Sequence, residues 1–240
     1  MSNEPKFLLL ALLYFAAVVF IYKFIGKSGM YVFSIFSTLA MNVSGCRMIS
    51  LFGMPAGVGL IFYAATYLCT DILSENHGKD EAQKAVKYSF IAMMLWALTS
   101  QAVLWFTPHP KDFFGEGLTK ILTLSPRLLV SSTIAFVVSQ KFDVFIYHFI
   151  WKKTGNSKKM LWLRNNIGTL SSQALDTSIH IFLLYTGIYS LGIMLSLIAT
   201  KCIFKILLAF LDTPFIYLAR FLKGRDKKEK ENAGCKAVVV

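Results

Sequence analysis

The tightest constraint on this 240-residue chain is its recurring apolar runs of about 20 residues. A helical run of that length matches the hydrocarbon thickness of a bilayer. Backbone in lipid must also satisfy its own polar groups, which favours helices. Seven runs can be drawn, at 7–25, 30–50, 55–74, 87–106, 124–150, 165–187 and 190–211. Only 16% of the residues are charged, against about a quarter in an ordinary soluble domain. The reading is an all-α, polytopic transmembrane helical bundle, one domain over 1–222, with a charged tail over 223–240.

The distribution of positive charge orients the runs. Placing the C-terminus inside puts Lys23, Lys27, Lys79, Lys84, Lys87, Lys152, Lys153, Lys158, Lys159, Arg164 and seven residues from Arg220 to Lys236 on one side, 17 in all. The other side holds Lys6, Lys111 and Lys120, with Arg47 at the border. That bias follows the positive-inside rule and sets the N-terminus outside. The net charge of +12 is therefore spread through short connections, and no soluble face remains to gather it for nucleic acid. The partners expected are the bilayer and a small molecule.

Four cysteines, Cys46, Cys69, Cys202 and Cys235, show no metal-ligand or disulfide spacing, so neither metal nor cofactor is expected. The first run follows Lys6 without a small-residue cleavage site and reads as a retained helix.

Ionisable side chains inside a span cost roughly 2.5–3.5 kcal/mol on insertion scales, so they face partners or wet cavities. Here they are Arg47, Asp71, Glu75, Arg127, Lys141, Asp143, Asp176, Lys201 and Lys205. Interhelical ion pairing is one reading of them. A substrate path is the other, and the repeated phrases SQKFDVFIYH (139–148) and SQALDTSIH (172–180) favour it. Gln140 and Asp143 are i, i+3 neighbours, as are Gln173 and Asp176, so each pair shares one helix side. The two helices are joined by a short loop and run antiparallel. Each can present an amide and a carboxylate to a common space. Asn165, Asn166, Thr169, Ser172 and Thr177 extend the stripe, although such residues also serve as helix–helix glue. Asp71 and Glu75, four apart, add two acids on one face of the third run. The candidate substrate-binding set is Asp71, Glu75, Gln140, Asp143, Asn166, Thr169, Gln173 and Asp176. Arg47, Arg127, Arg164, Lys201 and Lys205 are expected as ion-pair or structural residues. His148 and His180 carry less weight, because a histidine at a span end is usually a satisfied interface residue.

At these residues the chain resembles the queuosine precursor transporter family, also called the vitamin uptake transporters. The resembling phrases are TDILSENHG (70–78), SPRLLVSSTIAFVVSQKFDVFIYH (125–148), WLRNNIGTLSSQALDTSI (162–179) and CIFKIL (202–207). They cover about 30–220. The resemblance implies a six-helix core, to which the run at 7–25 is an addition. It also implies a transporter rather than an enzyme, in a bacterial inner membrane. The substrate implied is a queuosine precursor, a 7-deazaguanine base such as queuine or its nucleoside, imported for salvage into transfer RNA. A homodimer and a coupling ion, proton or sodium, are left open. Two alternatives stand beside it. One is a substrate-binding membrane subunit that needs a separate energising partner. The other is an intramembrane aspartyl hydrolase built on Asp143 and Asp176, which lacks the Gly-x-Gly-Asp context such a site would have.

Overall fold

The computed structural model describes residues 2–45, 47–123, 126–155 and 160–237. Lys158, Lys159, Cys46 and Ser125, used above, lie outside them. The described chain forms helices α1 (Asn3–Ile25), α2 (Lys27–Ser44), α3 (Gly59–His77), α4 (Lys79–Leu104), α5 (Gly115–Leu122), α6 (Pro126–Thr154), α7 (Leu161–Tyr185) and α8 (Leu191–Ala237). Most of each apolar run falls on one long helix, and α5 lies in the connection between the fourth and fifth runs. By length and composition, α1, residues 130–154 of α6 and residues 191–223 of α8 are apolar enough to cross a membrane. Mean hydropathy in α3 and α7 is lowered by the polar residues that concern the site.

Two boundaries differ from the drawn runs. Residues 30–50 and 55–74 are not continuous helix, because β1 (Met48–Leu51) and β2 (Met54–Gly57) form an antiparallel hairpin between α2 and α3. Its turn is Phe52-Gly53, with φ of 50° and 75°. Two successive positive φ values give the turn whose twist matches that of the flanking strands, and Gly53 adopts its share without strain. Pro55 has no N–H to donate and is tolerated in a two-stranded ribbon. At the other end, α8 continues through the charged segment to Ala237, a stretch rich in the good helix formers Lys, Glu and Ala.

Helix α3 is the centre of the bundle, packed by α1, α2, α4, α6 and α8. Nearly all of its side chains are buried. Small residues, Ala64, Ala65, Thr66, Cys69, Thr70 and Ser74, let the neighbours approach closely, as they do in membrane interfaces. The longest interface is the antiparallel pair α6–α7, with α8 against α7 and α3. Pro214 within α8 withholds one intrahelical N–H just after Asp212 and Thr213.

Helix α4 begins one residue after α3 ends, so the charged segment expected as loop is its first turns. Asp80 and Glu81 suit the positive end of the helix dipole. Glu81 also ties α4 to α2: it accepts from Lys84 at 2.7 Å, from Lys27 at 3.2 Å and from the Tyr31 hydroxyl. The Lys84 hydrogen bond, followed by those from Tyr31 and Lys27, lowers the Glu81 carboxyl to about 2 from its ordinary 4.5. A lowered carboxyl stabilises the fold above its unfolded value and ceases to do so as pH falls through its folded value. The stability difference between the protein and Glu81→Gln should therefore be full above pH 4.5, shrink below it, and vanish near pH 2. Paired thermal unfolding in detergent across that range measures it. A difference independent of pH would contradict the tie.

Candidate functional site

The site follows from one stripe on α3. Tyr63, Tyr67, Asp71 and Glu75 are each four residues apart and lie on one face, rising about 6 Å per step. That face looks toward α6, α7 and α8, which bring polar groups at three levels.

At the first level, Asp176 of α7 pairs with Lys205 of α8 at 2.7 Å. The Tyr67 hydroxyl bonds to the Tyr63 hydroxyl at 2.9 Å and to Ser139 at 3.0 Å. Lys205 also stands 4.6 Å from the Tyr63 ring, a cation–π contact. Just beyond, Gln140 donates to Thr66 at 3.0 Å and accepts from Thr70 at 3.4 Å.

At the middle level, Asp71 accepts from Thr169 at 3.1 Å, and Asp143 accepts from Ser172 at 2.8 Å. Thr169 and Ser172 are three residues apart on α7, so the two carboxyls are held against one turn of that helix. Gly168 lets α7 approach here, since a Cβ on it would sit 3.4 Å from Asp143 Oδ1. Asn165 donates to Asp212 of α8 at 2.9 Å.

At the third level, Glu75 is held by Arg164 at 2.9 Å, Arg220 at 2.5 Å and the Tyr147 hydroxyl at 2.5 Å. The Arg164 guanidinium also covers Trp151, 4.7 Å from the ring centre. A cleft of about 560 Å³ opens beside Glu75, walled in part by Ser74, His148, Phe149, Trp151 and Lys152. His148 stacks on Trp151 at 5.7 Å.

The repeated phrase acquires a geometric meaning. Ser139 donates to Asp176 at 3.3 Å, and Ser172 donates to Asp143 at 2.8 Å. Each Ser-Gln-x-x-Asp copy thus gives its serine to the acid of the other, as antiparallel helices related by a local two-fold axis must.

All eight candidate substrate residues are buried, but they do not share one space. Asp71, Thr169 and Asp143 meet at the middle level, Asp176 and Gln140 lie at the first, and Glu75 at the third. Asn166 instead bonds Thr213 of α8 at 2.9 Å. Gln173, 2% exposed, has neither amide atom partnered among the described residues. Of the expected ion-pair residues, Arg164 and Lys205 pair as described. Arg127 forms no ion pair among the described residues; it is exposed and donates to the Leu183 and Thr186 carbonyls, anchoring the end of α7. Arg47 and Lys201 are exposed and form no ion pair among the described residues.

Sequence reasoning missed Asp212, Arg220 and the tyrosines. Lys205, Asp212 and Arg220 are spaced by 7 and 8, two turns each, and so share a face. That signal crosses residue 211, where the last run was drawn to end. Tyr63, Tyr67 and Tyr147 read as ordinary apolar bulk until the helices are placed.

The family model describing vitamin uptake transporters matches residues 57–219. A Bacillus subtilis (strain 168) protein named "Probable queuosine precursor transporter" is 31% identical over 228 residues, covering 95% of this chain and 99% of that protein. No solved structure matches. Both matches span the three levels of buried polar residues, and the chain belongs to the vitamin uptake transporter family, a family of membrane transporters rather than enzymes.

Proposed function

We propose that the protein imports a queuosine precursor, a 7-deazaguanine base such as queuine or its nucleoside, through the polar core of α3, α6, α7 and α8. In this reading all seven long helices span a bacterial inner membrane, with the N-terminus outside and the C-terminus in the cytoplasm. The observation that carries the reading is Gln173, a buried amide with no partner among the described residues, one turn from Asp176 on the same face. A buried amide left unbonded is costly unless a ligand uses it. A guanine-type edge offers an N–H and an amino group side by side, which one carboxylate accepts together. Asp176 is that acceptor, with Lys205 as the counter-ion the edge displaces. Gln140 and Gln173 serve the ring carbonyl and nitrogens, and Tyr63 offers an aromatic face. Asp71, Asp143 and Glu75 continue the polar path to the cleft beside Trp151, which forms its cytoplasmic mouth.

The test is uptake by the purified protein in liposomes, with labelled queuine, its biosynthetic precursors and the nucleoside compared. The expected result is accumulation of at least one of them, above protein-free vesicles. Binding without uptake would assign the protein to a complex with a separate energising subunit, and neither binding nor uptake would overturn the proposal.

A further inference from the structure

The buried acids are unequally provided with cations. Glu75 has Arg164 and Arg220, and Asp176 has Lys205. Among the described residues, Asp71, Asp143 and Asp212 form no ion pair, though all three are at most 1% exposed. Asp212 has an amide donor from Asn165 on its Oδ1. Asp71 and Asp143 instead have one hydroxyl donor each, and the remaining oxygen of Asp143 has no hydroxyl or amide to accept from. The two donors, Thr169 and Ser172, are three residues apart on α7, so both carboxyls sit against one turn of that helix. Two carboxyls gathered on one turn of a helix, away from water and without a cation, call for a shared proton, because two ionised groups there repel strongly and one hydroxyl donor each does not offset that.

We propose that Asp71 and Asp143 form a proton-carrying pair that couples substrate import to a proton gradient, one proton entering with each substrate. The proposal rests on the transport reading above. The pair lies one level below Asp176, on the same three helices, so substrate and proton occupy one continuous polar core. Gln173, buried and unpartnered among the described residues, lies on α7 between Thr169, which bonds Asp71, and Asp176, and is the group through which occupancy of one level is felt at the next.

The surroundings suit a proton rather than a resident metal ion. Groups facing the pair are Asp212 from α8, Cys69, Tyr67 and Glu75 from α3, and Tyr147 from α6, while α7 supplies the Thr169 and Ser172 hydroxyls. Asp212 is a third buried acid without an ion pair among the described residues, whereas the Glu75 charge is neutralised by its own arginines. The described residues contain no group of three or more acid, histidine or cysteine ligands able to hold a metal ion.

Two measurements test the proposal. In proteoliposomes of the full-length protein, an acid-outside gradient should raise queuine accumulation about tenfold per pH unit, the limit for one proton per substrate. The lumen should acidify as the substrate enters. Accumulation that ignores the pH gradient, or follows an imposed sodium gradient instead, overturns the coupling. If wild-type vesicles move no precursor at all, the transport reading falls and the coupling falls with it. Infrared spectroscopy of the purified protein reads the pair without transport. A protonated carboxyl band is expected at neutral pH, diminished in Asp71→Asn and in Asp143→Asn, whereas Asp212→Asn removes a separate band. No such band in the wild type overturns the shared proton itself.

Discussion

Replacing Arg164 by Met should destabilise the protein by about 3–5 kcal/mol, the cost of removing one partner of a buried ion pair. The Arg164 side chain is fully buried, makes two contacts with Glu75 at 2.9 and 3.0 Å, and covers Trp151. Arg220 stays on Glu75, but its side chain is 16% exposed and comes from one side only. Thermal unfolding in detergent measures the effect. Two further variants separate charge from packing. Arg164→Lys should lie between wild type and Met, because an ammonium keeps the charge and loses the planar fork. Glu75→Gln combined with Arg164→Met should cost less than the sum of the single changes, since neither leaves the other uncompensated. An Arg164→Met protein as stable as the wild type would show that Arg220 and Tyr147 suffice.

The second large effect is functional. Asp176→Asn should reduce uptake of labelled queuine roughly 30-fold or more while the protein reaches the membrane at its usual level. Truncating one partner of a buried hydrogen-bonded charge pair costs about 2–5 kcal/mol, which sets that range. The variant removes the acceptor for a donor edge and leaves Lys205 facing a neutral amide at 6% exposure. Joint replacement, Asp176→Asn with Lys205→Met, removes the unpaired cation and should restore stability without restoring uptake. Undiminished uptake by well-expressed Asp176→Asn would move the recognition site elsewhere in the core.

The helices were legible because hydrocarbon thickness imposes a length that apolar runs must match. The polar residues were legible as exceptions to those runs, and i, i+3 and i, i+4 spacing placed Gln140 with Asp143 and Asp71 with Glu75 on common faces. The distribution of these residues over three levels was not legible, because it depends on how far α7 slides along α3 and α8, which no local pattern encodes. The hairpin at 48–57 was hidden for a related reason. Ile49, Leu51 and Met54 suit a strand and a helix equally, and only the Phe52-Gly53 dihedrals decide between them. Arg127 takes the structural of the two roles expected for it: its two bonds to the Leu183 and Thr186 carbonyls anchor the end of α7.

The reciprocal serine–acid bonds between α6 and α7 also limit how the protein can move. Sliding one of these helices past the other by a single turn would break both bonds together. The α6–α7 hairpin is consequently a stiff lever. Any opening toward one side of the membrane and then the other has to occur as shear at its borders with α3 and α8. There the contacts are the exchangeable kind: a lysine on an acid and a threonine on an acid.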